Sequence, residues 1–250
     1  MPTAAQRTVL GLALAVCLGK GLFIAAVTPP FQTPDEYGHY DYVLYLSYIR
    51  WGAFLAGDVA RPTGYNDITT DELWAVTRAT GTEGHLRHGA ARVIPPVREQ
   101  LAAGASVVPG DSHARLRTRT VVPAQFNYPV LYYGAAAGLA NATRVFTHNP
   151  VVTYYVVRFA SLAMTLVTVW LIWWMAVRSG FGTFPLAAAT AFIALHPQLG
   201  MLATSVQSDV LTILLTTLAG ACALAYASSP SRRRAAVLGV VIGALLLTKL

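Results

Sequence analysis

Charge is scarce in this sequence. Of its 250 residues, 12% are Asp, Glu, Lys or Arg and only 11 are acidic, against roughly 25% charged residues in soluble domains. That scarcity excludes an ordinary water-facing globular surface, and a mean hydropathy of +0.50 with 55% hydrophobic residues points to lipid as the solvent. Cysteine is nearly missing. Cys17 and Cys222 both lie inside apolar runs, which argues against a disulfide framework and a thiolate metal site. The net charge of +7 is not gathered into one block. No stripe suited to nucleic acid exists, and arginines in short cytoplasmic loops account for the excess. The chain also lacks internal repeats and low-complexity tracts.

What the sequence does have is apolar runs. The first, Val9 to Val27, exceeds the roughly 7–15 apolar residues of a signal peptide. It contains Lys20 and ends in Thr28-Pro29-Pro30 rather than a small-residue cleavage site, so it is read as a retained transmembrane helix. Further runs cover about 130–146, 156–177, 184–203 and 209–227, near the roughly 20 residues a span needs. A last run from Ala235 reaches Leu250 without a polar tail, which leads us to expect the N-terminal part of a longer protein. Between roughly 53 and 128 lies a polar region rich in Gly, Arg and Thr, expected to be a small extramembrane lobe or a long loop. If 130–146 lies along the outer interface, then Arg7, Arg178 and Arg232-Arg233-Arg234 all face the cytoplasm, and all 11 acids fall outside. The positive-inside bias favours that arrangement. It predicts four complete spans and the start of a fifth, with Tyr128, Tyr132 and Tyr133 at the lipid boundary.

Where the first run ends, "TPPFQTPDEYGHYDY" packs Asp35, Glu36, His39 and Asp41 within seven residues. A structural explanation comes first: Thr33 caps a helix, Pro34 suits its first turn, and Glu36 completes a capping box. That leaves Asp35 and His39, four apart and therefore on one helix face, in line with Val43, Leu46 and Arg50. Tyr37, Leu44, Tyr48 and Trp51 would face the membrane surface, making an amphipathic helix over 35–51. An Asp and a His so placed suit general-base work, metal binding or orientation of a sugar hydroxyl. Elsewhere, Asp209 serves as a helix cap or as a substrate or metal contact. Arg158 snorkels to headgroups or forks onto phosphate oxygens. Lys20 and Lys249 lie within apolar runs, where an ionisable group usually faces the bundle interior. His85, His88 and His113 have no metal-ligand spacing. His196, before Pro197, reads as part of an outer turn.

"PDEYGHY" after a first transmembrane helix resembles the Pro-Asp-Glu-x-x-His motif of the bacterial membrane-protein family called domain of unknown function 2142. That family is itself similar to the GT-C class of polyprenyl-phosphate-sugar glycosyltransferases. "NYPVLYY" at Asn127–Tyr133 resembles the class's Pro-Pro-Leu-Tyr-Tyr helix, with Tyr128 in place of the first proline. Arg158 in "RFASLAMTLVTVWLIWWM", Asp209 in "LHPQLGMLATSVQSDVLTILL" and Lys249 in "GALLLTKL" continue the likeness. The resemblance implies an all-α integral membrane fold, a GT-C-like transmembrane helix bundle with a long first extracytoplasmic loop. Residues 1–28 would be the first transmembrane helix. The loop would cover 29–155, with juxtamembrane helices near 35–51 and 130–146, and the remaining helices 156–250. It implies a multi-pass protein of the bacterial plasma membrane that moves a sugar from a polyprenyl-phosphate donor to a glycan or lipid acceptor, with inversion. Asp35, Glu36 and His39 would be catalytic, with Asp35 the base, and Arg158, Asp209 and Lys249 would bind substrate. A divalent cation, Mg or Mn, held by Asp35 and Asp209 is left open. The rival readings are a lipid or polysaccharide transporter and a non-catalytic envelope-assembly protein.

Overall fold

Residues 4–27 contain no acid, and their apolar side chains make a helix that hydrocarbon tolerates because every backbone group is bonded internally. In the computed structural model, which describes residues 2–33, 35–48, 67–82, 95–106, 116–119 and 128–249, this helix is α1 (Ala4–Val27). Then follow α2 (Glu36–Tyr48), β1 (Asp67–Thr70), α3 (Asp71–Ala79), α4 (Val97–Ala105), β2 (Leu116–Arg119) and α5 (Val130–Phe146). The chain continues with α6 (Pro150–Arg178), α7 (Thr183–Leu195), α8 (Pro197–Leu202), α9 (Ser208–Ser228) and α10 (Arg232–Lys249). The fold is that of an all-helical membrane protein to which one short antiparallel ribbon is added, pairing Asp67 with Arg119 and Thr70 with Leu116. The chain divides into two units, Met1–Val27 with Phe159–Leu250, and Thr28–Arg158.

Among the described residues, α1, α6 and α9 are the helices long and apolar enough to cross a membrane. At about 1.5 Å per residue, the 24 residues of α1 reach about 36 Å, beyond the ~30 Å hydrocarbon core. Helix α1 packs against α7. Ala13, Cys17, Val169 and Ala194 form one core cluster, and Trp173, Ala176 and Leu186 another. Gly21 permits close approach to α6, since a Cβ there would lie 2.4 Å from Leu162 Cδ1. The Trp173 indole donates to the Gln6 carbonyl at 2.9 Å. Outside this core, apolar side chains such as Phe23 and Phe192 stay 66% and 70% exposed, as expected of surfaces that face lipid.

The expected span over 184–203 is broken. Helix α7 has 13 residues, about 20 Å, which is short of the hydrocarbon thickness. Pro197 lacks the N–H needed to continue α7 and instead starts α8. The next difference is at α6, which begins at Pro150 rather than near 156, so Arg158 lies in its third turn. The cause is local. Asn149 Oδ1 accepts the N–H of Val151 at 3.0 Å, capping a helix whose first residue is proline.

In the second unit, α2 packs along α5, and α3 along α4. A helix does form within the expected 35–51, as α2, but it lacks the expected exposed face. Every residue of α2 from Gly38 to Leu46 is buried, as is Glu36, and Arg50 and Trp51 lie outside the described residues. Tyr132 and Tyr133, expected at the lipid boundary, are buried as well. The physical reason is that several polar groups of α2 are bonded inside the unit, Glu36 to Tyr154, His39 to Tyr133 and Tyr48 to Glu72.

Candidate functional site

The site is built around the start of α2, where the backbone is unusual. Phe31 has φ 62° and Asp35 has φ 61°. The left-handed region costs an L-residue roughly 1–2 kcal/mol, less for Asp than for a bulky side chain. Two such residues four positions apart need strong support, and Glu36 supplies it. Its Oε2 accepts from the Phe31 N–H at 3.1 Å and from the Thr33 hydroxyl at 2.8 Å. Its Oε1 accepts from the Tyr154 hydroxyl at 3.0 Å and lies 3.5 Å from Arg158 Nε. This is not the expected capping box. The Thr33 hydroxyl donates to the Glu36 carboxylate, while the Glu36 N–H goes to the Thr33 carbonyl at 3.3 Å.

Arg158 is fully enclosed. Its Nη1 donates to the Thr28 carbonyl at 3.3 Å, and its guanidinium carbon lies 5.8 Å from the Tyr154 ring centre. A ligand phosphate could reach it only by opening the Glu36 cluster. Phe31 closes the aromatic side, 5.0 Å from Tyr154 and 5.9 Å from Tyr37 between ring centres. A desolvated ion pair of this kind needs all of its partners, because removing one leaves a buried charge.

Asp35 is the opposite case. It is exposed, and among the described residues its carboxylate has no hydrogen-bond or ion-pair partner. Its backbone carbonyl accepts the His39 N–H at 3.1 Å. The His39 ring is buried between Tyr128 and Tyr133, each with ring centres 5.8 Å away and nearly parallel. His39 Nδ1 shares a 2.6 Å hydrogen bond with the Tyr133 hydroxyl. The turn therefore presents one free carboxylate beside Thr33, Glu36 and His39, which are buried and bonded.

Asp209 and Lys249 belong to the first unit, where they form an ion pair, both partly exposed. The structure thus brings Glu36 to Arg158 and Asp209 to Lys249, and joins His39 to Asp35 through the backbone. Among the described residues no group of three His, Cys, Asp or Glu could hold a metal ion. Asp35 belongs to the second unit and Asp209 to the first.

Sequence reasoning passed over a second polar cluster in the Thr28–Arg158 unit. Arg144 Nη2 lies 2.7 Å from Glu72 Oε2, which also accepts from the Tyr48 hydroxyl. Arg144 Nη1 donates to Ser47 Oγ at 3.0 Å and to Asn141 Oδ1 at 2.6 Å. Burial opposes the Arg144 charge, but Glu72, Tyr48 and Tyr40 outweigh it and hold the guanidinium above its ordinary pKa. Burial, then the Glu72 charge, pushes the Tyr40 phenol well above its usual value. The one sequence signal was the run of tyrosines at 37, 40, 42, 45 and 48.

A family model described as "Predicted membrane protein (DUF2142)" matches residues 18–249. Neither a curated protein nor a solved structure matches the chain.

Proposed function

The chain belongs to the DUF2142 family of predicted membrane proteins, and from that premise we propose that it is a membrane glycosyltransferase-like protein. It would transfer a sugar from a polyprenyl-phosphate donor to a glycan or lipid acceptor on the outer face of a bacterial plasma membrane. The observation that carries the reading is Asp35, an exposed carboxylate on a left-handed backbone beside Thr33 and Glu36, which are buried and bonded to each other. Backbone strain of the kind Phe31 and Asp35 share clusters at functional sites, and Asp35 is the polar, exposed member of the two. In the proposed reaction the acceptor hydroxyl attacks the anomeric carbon. The bond from that carbon to the phosphate oxygen breaks, and the phosphate leaves with the bonding electrons. Asp35 takes the hydroxyl proton, and the configuration inverts. His39, fixed by Tyr133 and by the Asp35 carbonyl, keeps the turn in register. Glu36 and Arg158 support the turn from beneath and do not touch substrate. The resemblance also assigns Asp209 and Lys249 to substrate, and the exposure of their pair leaves both within reach of a ligand.

The test is an assay of the full-length protein against a panel of polyprenyl-phosphate sugars. Asp35→Asn keeps the shape and removes the base. It should lower turnover by about 10²–10⁴-fold while expression and donor binding stay intact. Near-normal turnover by Asp35→Asn would sink the reading. One observation favours the transporter instead, the interruption between α7 and α8, since broken helices line transporter binding sites. Glycan uptake into vesicles, with no transfer from any donor, would decide for it.

A further inference from the structure

Lys20 lies in the interior of α1, seven residues before its end, so about 10 Å of helix separates it from Val27. A cation within a membrane helix is costly and needs partners. Its Nζ donates to the His196 carbonyl at 2.9 Å, and that oxygen also accepts the Gly200 N–H at 3.2 Å. An ammonium has three donors, and this is its one hydrogen bond among the described residues. Gly200 leaves the space that the side chain uses: a Cβ there would lie 3.0 Å from Lys20 Cε and 2.7 Å from Ile24 Cδ1. In the same break, His196 Nδ1 is buried with no hydrogen-bond partner, and its ring packs edge-on to Phe192 at 5.7 Å. Lys20 as a cap on the C-terminal end of α7 accounts for its bond to the carbonyl. It does not account for the spare ammonium donors or for His196 Nδ1.

We propose that Lys20 and His196 form a binding site for the phosphate of an anionic membrane lipid. Phosphate oxygens would take the remaining ammonium donors and, on turning of the His196 ring that now buries Nδ1, a proton on that nitrogen, giving both groups charge-assisted partners. Around the break, Phe23, Phe192, Leu195 and Met201 are exposed and apolar. That rim suits lipid chains and opposes a hydrated free anion. The inference does not depend on glycosyl transfer, since a protein that holds a lipid phosphate here without transferring sugar satisfies it.

The experiment uses the full chain in phosphatidylcholine nanodiscs doped with phosphatidylglycerol or with a long-chain isoprenoid monophosphate. Lipid retention is read by native mass spectrometry, and inorganic phosphate is added as competitor. The wild type should retain one anionic lipid per chain in preference to phosphatidylcholine, and inorganic phosphate should not displace it. Lys20→Gln should weaken retention about tenfold or more, the effect of losing a charge-assisted hydrogen bond, and Lys20→Arg should restore it. His196→Phe keeps the ring and the backbone carbonyl and should weaken retention several-fold. Unchanged retention in folded Lys20→Gln overturns the proposal. If Lys20→Gln does not fold, unchanged retention in His196→Phe overturns it. Displacement by inorganic phosphate would overturn the lipid as the ligand.

Discussion

Asp35 and Glu36 are neighbours with opposite fates, and substitutions should separate them. Asp35→Gly removes a Cβ from a left-handed backbone, so it should raise stability by about 1 kcal/mol, while transfer falls as far as in Asp35→Asn. A denaturation midpoint that drops instead would show that the Asp35 side chain holds the turn together. Glu36 is the structural member, and its loss is expected to be severe rather than mild. Glu36→Ala strands the enclosed Arg158 and the Tyr154 hydroxyl, and breaking a buried pair in this way costs about 3–5 kcal/mol. The double change Glu36→Gln with Arg158→Met removes the stranded charge and should recover much of that loss. If the double variant is no more stable than Glu36→Ala, the ion pair is not the source of the cost.

At the scale of elements, the start of α6 rests on Asn149. Its Oδ1 caps the helix, and its Nδ2 donates to the Leu101 carbonyl of α4 at 2.8 Å. Asn149→Ala should cost about 1 kcal/mol from the cap alone, and Asn149→Asp, which keeps the cap and loses the donor, should cost less. Equal melting temperatures for Asn149→Ala and the wild type would refute the capping role. Next to this cap, Gly104 lets α4 come close, because a Cβ there would lie 2.6 Å from Val151 Cγ2. Helix α2 shows how an element can carry many polar groups and still be buried. Glu36, His39 and Tyr48 each bond to a side chain from a later part of the chain, namely Tyr154, Tyr133 and Glu72.

For the whole molecule the open matter is its passage through the membrane. The arginines at 7, 178 and 232–234 lie at the ends of apolar helices, and the positive-inside bias predicts that those ends face the cytoplasm. Single cysteines at Ser231 and at Ala142, in a background with Cys17 and Cys222 replaced, should behave differently in intact cells. An impermeant thiol reagent should label position 142 directly and position 231 only after permeabilisation. Labelling of 231 in intact cells would reverse the orientation and put the proposed site on the wrong face.

By itself, the sequence determined the solvent, the helical class and the position of the motif. Those follow from composition and from runs of apolar residues, which are local and additive along the chain. The Thr-Pro-Asp-Glu stretch likewise announced a helix start through residues that touch one another along the chain. The tertiary structure decided what those residues meet. Glu36 is paired with Arg158 across more than a hundred positions, and His39 with Tyr133 across nearly as many. No periodicity signals such pairs, because a buried charge is satisfied by whichever partner the fold delivers. The break at Pro197 was legible as a proline. That Lys20 bonds to the carbonyl there was not, since the contact joins residues 176 positions apart, and only the packing of α1 on α7 and α8 brings them together.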